Sequence, residues 1–263
     1  MSRTIRVILL AFVVISPIVM YYFFIKKPKP EVVVIPIVHQ ESKPNVALIF
    51  DDLGESLAAF KEVHSLGIPV TVSIIPGLRF SSNIAYIAAR SGIAVMIHLP
   101  MAPKAEEKYA TPKYTFISAR AKARETDSLL RYYLNSIRVA IGVNNHMGSD
   151  ATEDPILMRR VLRKIKSKNM FFVDSHTSQQ SVACDVAGTQ GVMCARSDGF
   201  LDAVNDAAWI DKKLEHFVEL AGQKGKIIII GHPKPVTLQM LRTRIPELKK
   251  KVNFITMADY FER

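Results

Sequence analysis

The chain has 263 residues, of which 49% are hydrophobic and 22% charged, with 12 Gly, 14 Pro and two Cys. This composition excludes disordered, collagen-like and disulfide-scaffold proteins, because nearly half of the residues can bury apolar surface. The formal net charge of +11 is partly local, since residues 1–30 carry five basic residues and no acidic one. The other Lys and Arg are spread along the sequence rather than interleaved with aromatics in one patch, so we expect no nucleic-acid partner.

The chain begins with an uncharged apolar run from Val7 to Ile25. As a helix this run would rise about 28 Å, close to the thickness of the hydrocarbon core of a bilayer. A cleaved signal peptide is the alternative, but no small-residue cleavage site of the A-x-A kind follows the run. We therefore expect residues 1–25 to form an uncleaved, single-pass membrane anchor through residues 7–25.

A tether and one large domain are predicted after the anchor. Residues 26–44 contain four Pro and are typical of an extended tether, although VVVIPIV within them could pair as an edge strand. Residues 45–263 then alternate short β-branched runs with longer amphipathic ones, which favours a buried parallel sheet. The predicted strands are 46–50, 70–75, 93–97, 139–143, 170–173, 191–194, 226–230 and 252–255. The predicted helices are 56–66, 81–91, 120–137, 153–168, 205–223 and 237–250.

This alternation predicts an α/β fold, a distorted (β/α) barrel of about seven or eight parallel strands, with an open doubly wound sheet as the alternative. Polar residues capable of metal binding or proton transfer follow five of the predicted strands. They are Asp51 and Asp52, His98, Asn144, Asn145 and His146, Asp174 and His176, and His232. The carboxyl ends of barrel strands meet on one face, so these residues can come together there.

The residue types in this set suit metal-assisted hydrolysis. One carboxylate and two imidazoles can bind Zn²⁺ and leave coordination positions open for water and substrate. A second carboxylate can take a proton from water, and a separate His can protonate a leaving group. Each residue also has an ordinary explanation, because Asp caps helices and single His residues occur in cores and turns.

The sequence resembles the divergent polysaccharide deacetylase family of bacterial envelope proteins over residues 44–262. The runs that carry the resemblance are IFDDLG (49–54), VMIHLPM (95–101), NNHMGS (144–149), VDSHTS (173–178), FLD (200–202) and IGHPKPVT (230–237). By comparison with ordinary polysaccharide deacetylases, the resemblance implies that Asp51 is the catalytic base and Asp52 the metal-binding carboxylate. It implies that His98 is the first metal histidine and His232 the catalytic acid.

The chain departs from the ordinary deacetylase pattern at two points. A second metal histidine is expected four residues after His98, where this chain has Ala102, and His146 is our candidate to replace it. The arginine motif that orients the base in ordinary deacetylases has no clear match. Asn145, Ser149, Asp174 and His176 are predicted to contact substrate or to brace the loops, with Asp174 facing the site.

Two functions are therefore kept open. The first is a hydrolase with one divalent metal, Zn²⁺, that removes acetyl groups from an N-acetylated glycan or peptidoglycan-derived substrate. The second is a non-catalytic module that binds glycan or another envelope component. In either case the resemblance implies that the C-terminal domain lies in the periplasm.

Both cysteines fall in one eleven-residue segment, CDVAGTQGVMC, that begins at Cys184 and ends at Cys194. Its two Gly residues and few helix formers would allow the segment to fold back on itself. In an oxidising compartment we expect the two cysteines to form a disulfide. Two free buried thiols are the main alternative, and a zinc thiolate pair is disfavoured because no CxxC is present.

Overall fold

The computed structural model describes residues 19–22 and 43–262. The predicted anchor, apart from residues 19–22, and nearly all of the predicted tether lie outside the described residues. Within the described part of the chain, no helix is long and apolar enough to cross a membrane. The chain divides into two units, Met1–Glu41 and Ser42–Arg263, and the strands of the described residues lie in the second.

Strands and helices alternate along residues 45–260. The strands are β1 (Asn45–Leu53), β2 (Thr71–Ile74), β3 (Ala94–Met101), β4 (Gly142–Met147), β5 (Phe171–Asp174), β6 (Cys194–Arg196), β7 (Gly199–Phe200), β8 (Lys226–Gly231) and β9 (Asn253–Ile255). The α-helices are α1 (Leu57–His64), α2 (Ser81–Arg90), α3 (Ala123–Ser136), α4 (Pro155–Lys166), α5 (Ala183–Gln190), α6 (Ala207–Lys224), α7 (Pro235–Lys251) and α8 (Met257–Tyr260). Short 3₁₀ turns occupy Glu106–Tyr109 and Ala151–Glu153.

Within residues 43–262 the nine strands form one parallel sheet, in the order β6-β5-β4-β3-β2-β1-β8-β7. This is the cyclic order of a barrel, interrupted between β6 and β7. Strand β9 pairs with the first residues of β1, where β2 has not yet joined it. The predicted parallel α/β fold is confirmed as a curled, barrel-like sheet, with an open side that strand pairing does not close.

The inner face of this sheet is apolar over its first half. We call this group the apolar layer: Ala47, Ile49, Met96, Phe171, Val173, Ile228, Ile230 and Met257, all of them fully buried. At Gly142 a side chain would clash with the ring of Phe171, so only glycine lets that ring fill the interior. A larger cluster lies between the outer face of the sheet and the helices. Burial of one such aliphatic side chain contributes about 1.5–3 kcal/mol.

Three differences from the sequence prediction matter for the site. Strands β1, β3 and β4 run on through Leu53, Met101 and Met147, so polar residues expected in loops lie inside strands. The segment expected to fold back on itself contains helix α5, because its packing against α4 outweighs its weak helix propensity. The two-residue strand β7 was not predicted, since so short a run has no periodicity.

Candidate metal centre and active site

An irregularity in β1 brings two adjacent carboxylates to the same end of the sheet. Pairing with β2 shifts register between Phe50 and Leu53, and Asp52 between them has φ 59°. In a regular strand Asp51 and Asp52 would point to opposite faces, and a bulge re-aims one of them. A left-handed backbone at a non-glycine residue costs free energy and is frequent at functional sites. The conformation of Asp52 therefore marks this position as a candidate site.

Three side chains from three strands place one ligand atom each in a small triangle. His146 Nδ1 lies 2.9 Å from Asp52 Oδ1, His98 Nε2 lies 3.2 Å from the same oxygen, and the two nitrogens are 3.1 Å apart. The histidines are buried, while the Asp52 side chain is 41% exposed. The candidate ligands predicted from sequence are thus brought together, with access from solvent on the carboxylate side.

The triangle fits a four-coordinate divalent ion. Ligands about 2.0–2.1 Å from a tetrahedral Zn²⁺ lie about 3.3 Å from one another, close to the separations of these atoms. The far nitrogen of each ring is already engaged: His98 Nδ1 contacts Asn144 Oδ1 at 2.9 Å, and His146 Nε2 contacts the Tyr114 hydroxyl at 2.9 Å. Such outer contacts fix ring orientation and leave the inner nitrogens free to bind metal.

The electrostatics of the cluster also favour a cation. Burial raises the pKa of Asp52, but hydrogen bonds to His146 and His98 outweigh it and hold that pKa well below its usual range. Burial lowers the pKa of His98, yet the charges of Asp51 and Asp52 raise it above its ordinary value. Burial keeps the pKa of His146 low despite its contact with Asp52. The two carboxylates that stabilise a proton on His98 would equally stabilise a metal ion.

Asp51 lies beside the triangle without belonging to it. Its carboxylate is 1% exposed, and Oδ2 is 3.6 Å from His98 Nε2. It accepts hydrogen bonds from the amide nitrogen of Asn144, at 2.9 Å to Oδ1 and 3.1 Å to Oδ2. Burial raises its pKa, which the positive charges of His98 and His232 only partly oppose. The predicted base is therefore a buried, oriented carboxylate next to the candidate metal ligands.

His232 lies on the other side of Asp52, after β8. Its Nδ1 is 2.8 Å from Asp202 Oδ1, and its Nε2 is 3.7 Å from Asp52 Oδ2. The other oxygen of Asp202 accepts from the backbone N–H of His232 at 2.9 Å and from Thr237 Oγ1 at 2.7 Å. Burial lowers the pKa of His232, but its hydrogen bond with Asp202 and the charge of Asp52 raise it above its ordinary value. The contacts with Asp202 and Asp52 thus favour the protonated, proton-donating form of the imidazole.

The remaining predicted site residues connect loops rather than surround the triangle. Asn145 Oδ1 accepts from the N–H of Ser175, and its amide nitrogen donates to the carbonyl of Met147. Ser149 Oγ accepts from the N–H of Lys104 at 3.2 Å, joining the loops that follow β3 and β4. These contacts agree with the bracing alternative.

Asp174 and His176 differ from the expectation that Asp174 faces the site. The carboxylate of Asp174 accepts from the N–H of His176 at 2.9 Å and from Ser181 Oγ at 2.7 Å. The side chain therefore folds back on its own loop, because alternation along β5 places Val173 inside and Asp174 outside. His176 has φ 55°, and within the described residues its imidazole makes no hydrogen bond.

Cys184 and Cys194 are joined by a disulfide in the structure. The bridge connects the first turn of α5 to the first residue of β6. It therefore secures the helix that follows the Asp174 loop against the edge of the sheet.

Three residues with direct contacts to the site were not assigned a role from sequence. Asp202 belongs to the FLD motif, which by itself indicates no role for the carboxylate. Tyr114 lies in the long connection between β3 and α3, where no sequence pattern marks it. Asn144 stands next to Asn145, and the sequence motif alone does not show which of the two faces the site. Strand alternation is the signal that separates the two asparagines, because Asn144 shares a face with Gly142 and His146. The predicted strand ends at residue 143, before Asn144, so alternation cannot be applied to the two asparagines until the structure shows that β4 continues to Met147.

Comparison with known proteins identifies a matching family and a related protein. Residues 48–261 match the family model described as divergent polysaccharide deacetylase. An uncharacterized protein of Haemophilus influenzae is 30% identical over 218 residues, which is 83% of this chain and 77% of the relative.

Two solved structures share the fold. One, an uncharacterized protein of Agrobacterium tumefaciens C58, has a TM-score of 0.77 at 19% identity, covering 84% of this chain and 90% of that one. The other is the catalytic domain of a peptidoglycan N-acetylglucosamine deacetylase from Eubacterium rectale ATCC 33656. Its TM-score is 0.51 at 12% identity, and the match covers 82% of this chain and 89% of that one. From the family match and the Haemophilus relative, the chain belongs to the divergent polysaccharide deacetylase family.

Proposed function

We propose that the protein is a metal-dependent hydrolase that removes acetyl groups from an N-acetylated envelope glycan. One observation carries the proposal: the triangle of Asp52, His98 and His146 is flanked by a buried carboxylate, Asp51, and by a carboxylate-supported imidazole, His232. Amide hydrolysis requires a group that takes a proton from water and a group that gives one to nitrogen. Both are present within 4 Å of the candidate metal ligands.

Asp52 Oδ1, His98 Nε2 and His146 Nδ1 would hold the metal. Two imidazoles with one carboxylate suit Zn²⁺ better than Mg²⁺ or Ca²⁺, which prefer oxygen ligands. A bound Zn²⁺ would polarise a carbonyl and make a water more acidic.

Asp51 acts as the base. It accepts a proton from the water that attacks the carbonyl carbon of the acetamide group. Because it is buried and its pKa is raised, Asp51 binds this proton more readily than an exposed aspartate would. Its contact with Asn144 holds the carboxylate in place while it does so.

His232 acts as the acid. When the bond between the acetyl carbon and nitrogen breaks, Nε2 of the protonated imidazole donates a proton to the departing nitrogen. The products are acetate and a free amine on the sugar. Asp202 stabilises the charged imidazole before the transfer and keeps Nε2 turned towards Asp52.

The experiment that tests this proposal measures acetate release. Purified protein is stripped of metal, reloaded with Zn²⁺ and incubated with chitooligosaccharides or peptidoglycan fragments. We expect acetate from the reloaded wild type, and release about 10²–10⁴-fold slower from Asp51→Asn. Saturable glycan binding by the wild type without acetate would favour the non-catalytic binding module instead.

We also propose that residues 7–25 anchor the protein in the cytoplasmic membrane, with residues 45–263 in the periplasm. The uncharged run in the sequence supports the anchor, and the Cys184–Cys194 disulfide supports an oxidising compartment. A reporter that functions only in the periplasm, fused after Arg263, should be active. Activity of a cytoplasmic reporter at the same position would contradict this topology.

A further inference from the structure

A single buried amide lies between the candidate base and a candidate metal ligand. Asn144 is 0% exposed and lies on β4 between the apolar layer and the triangle. Its Nδ2 donates to Asp51 Oδ1 at 2.9 Å and to Ser175 Oγ at 3.2 Å. Its Oδ1 accepts from Ser73 Oγ at 2.5 Å and contacts His98 Nδ1 at 2.9 Å. Two donor hydrogens and two acceptor positions are all that an amide has, and all four are used.

The partners of Asn144 fix which way its amide points. An ionised Asp51 can only accept, so the NH₂ group must face it and the carbonyl oxygen must face His98. That oxygen can only accept, so His98 Nδ1 must carry the hydrogen. The lone pair of His98 then lies on Nε2, the atom that faces Asp52 and His146.

We propose that Asn144 is a positioning residue that orients the base Asp51 and the metal ligand His98 together. The inference rests on the proposed function, because it assigns Asn144 to the same site. It also explains how Asp51 is oriented without the arginine motif of ordinary deacetylases, since no arginine contacts Asp51 among the described residues. Here an amide on the same inner face of the sheet, from strand β4, makes the orienting contact instead.

Other side chains of similar size cannot replace the amide. Leucine has the shape but neither donates nor accepts. Aspartate can accept from His98 and Ser73 but, when ionised, has no hydrogen to donate to Asp51. The two substitutions therefore separate the contact with the metal ligand from the contact with the base.

The test compares Asn144→Leu and Asn144→Asp with wild type in the full-length purified protein. Three quantities are measured: Zn²⁺ affinity by calorimetry, the tautomer of neutral His98 by ¹⁵N NMR of metal-free protein at a pH above the pKa of His98, and kcat and KM for acetate release. Asn135→Leu is the matched control, because Asn135 is exposed and, among the described residues, its side chain hydrogen-bonds only to Lys168.

We expect Asn144→Leu to lose the Nδ1–H preference of His98 and to bind Zn²⁺ about 10–100-fold more weakly, as losses of such outer contacts do. We expect Asn144→Asp to keep both properties while kcat falls about 100-fold at unchanged KM, because the base is misplaced. The tautomer and the Zn²⁺ affinity do not depend on turnover. They therefore test Asn144 even if the wild type releases no acetate.

Two results would overturn the inference. One is a folded Asn144→Leu protein with wild-type Zn²⁺ affinity and an unchanged His98 tautomer. The other is Asn144→Asp with wild-type kcat. If Asn144→Leu does not fold, the Asn144→Asp protein still decides, because loss of its His98 tautomer would equally contradict the assignment.

Discussion

The inner face of the sheet has two halves with opposite chemistry, built from the same strands. The apolar layer ends at Ile49, Met96, Val173 and Ile230. Two residues further along these strands or just beyond them, on the same face, stand Asp51, His98, Ser175 and His232. We call a second group the polar layer: Asp51, His98 and Ser175, together with Ser73 and Asn144 on the same face. On each of these strands, therefore, the last residue of the hydrophobic core and the first residue of the candidate site are only two positions apart.

The difference shows where each half gets its stability. The apolar layer is stabilised by removal of hydrocarbon from water, which needs no particular geometry. A buried polar group costs free energy unless each donor and acceptor is paired, so the polar layer depends on specific partners. Substitutions in the apolar layer should therefore affect stability, and substitutions in or beside the polar layer should affect metal binding and catalysis.

The largest expected effect is the loss of metal when His146 is removed. His146→Ala deletes one of three ligand atoms and should reduce bound zinc in purified protein to background, measured by elemental analysis. His216→Ala, an exposed histidine on α6, is the matched control and should bind zinc normally. Unchanged zinc in His146→Ala would remove this residue from the site.

Removal of the base should abolish most turnover without affecting metal. Asp51→Asn keeps the size of the side chain but cannot accept a proton, so kcat for acetate release should fall about 10²–10⁴-fold. Zinc content should remain at the wild-type level. Asp185→Asn on the exposed side of α5 makes the same chemical change and should be neutral. Full activity in Asp51→Asn would leave the mechanism without its base.

A cavity in the apolar layer should have the reverse effect. Ile228→Ala removes a fully buried side chain and should lower the free energy of unfolding by about 2–5 kcal/mol in urea denaturation. Zinc binding by the folded protein should be unchanged. Ile156→Ala, at an exposed position of α4, should cost less than about 0.5 kcal/mol. Loss of zinc affinity in folded Ile228→Ala would show that the two layers are not separable.

Loss of the disulfide should have a smaller effect on stability. Replacement of Cys184 and Cys194 by Ser should lower the free energy of unfolding by about 2–3 kcal/mol, on the chain-entropy estimate for so short a loop. The bridge lies outside both layers, so zinc content should not change. Two thiols that alkylate in purified, unreduced protein would show instead that no bridge forms.

The smallest expected effect is a shift in the pH dependence of acetate release. His232 must be protonated to act as an acid, so activity should fall as pH rises through its pKa, which Asp202 helps to raise. Asp202→Asn removes that support, and the alkaline limb of kcat/KM should move to lower pH. The acidic limb, set by Asp51, should stay in place. An unmoved alkaline limb would show that another group is the acid.

The sequence predicts the strands and most candidate site residues because both follow from local pattern. Runs such as KIIII predict a buried strand, and a polar residue that follows such a run, such as His232, indicates a candidate site residue. The contacts of Asn144 could not be predicted in this way, since its four partners lie 31 to 93 residues away. The orientation of Asp174 could not be predicted either. Neighbouring residues of a strand point to opposite faces, so an error of one residue in the alternation places a side chain on the wrong face.

The central claim is that the polar layer, together with Asp52, His146 and His232, forms a metal-dependent deacetylase site. It is tested most directly by titrating metal-free protein with Zn²⁺ while measuring acetate release from a chitooligosaccharide. We predict that the rate rises in proportion to bound zinc and reaches its maximum at one ion per chain. Glycan binding with no acetate at one bound zinc, or acetate release that does not depend on metal, would contradict the claim.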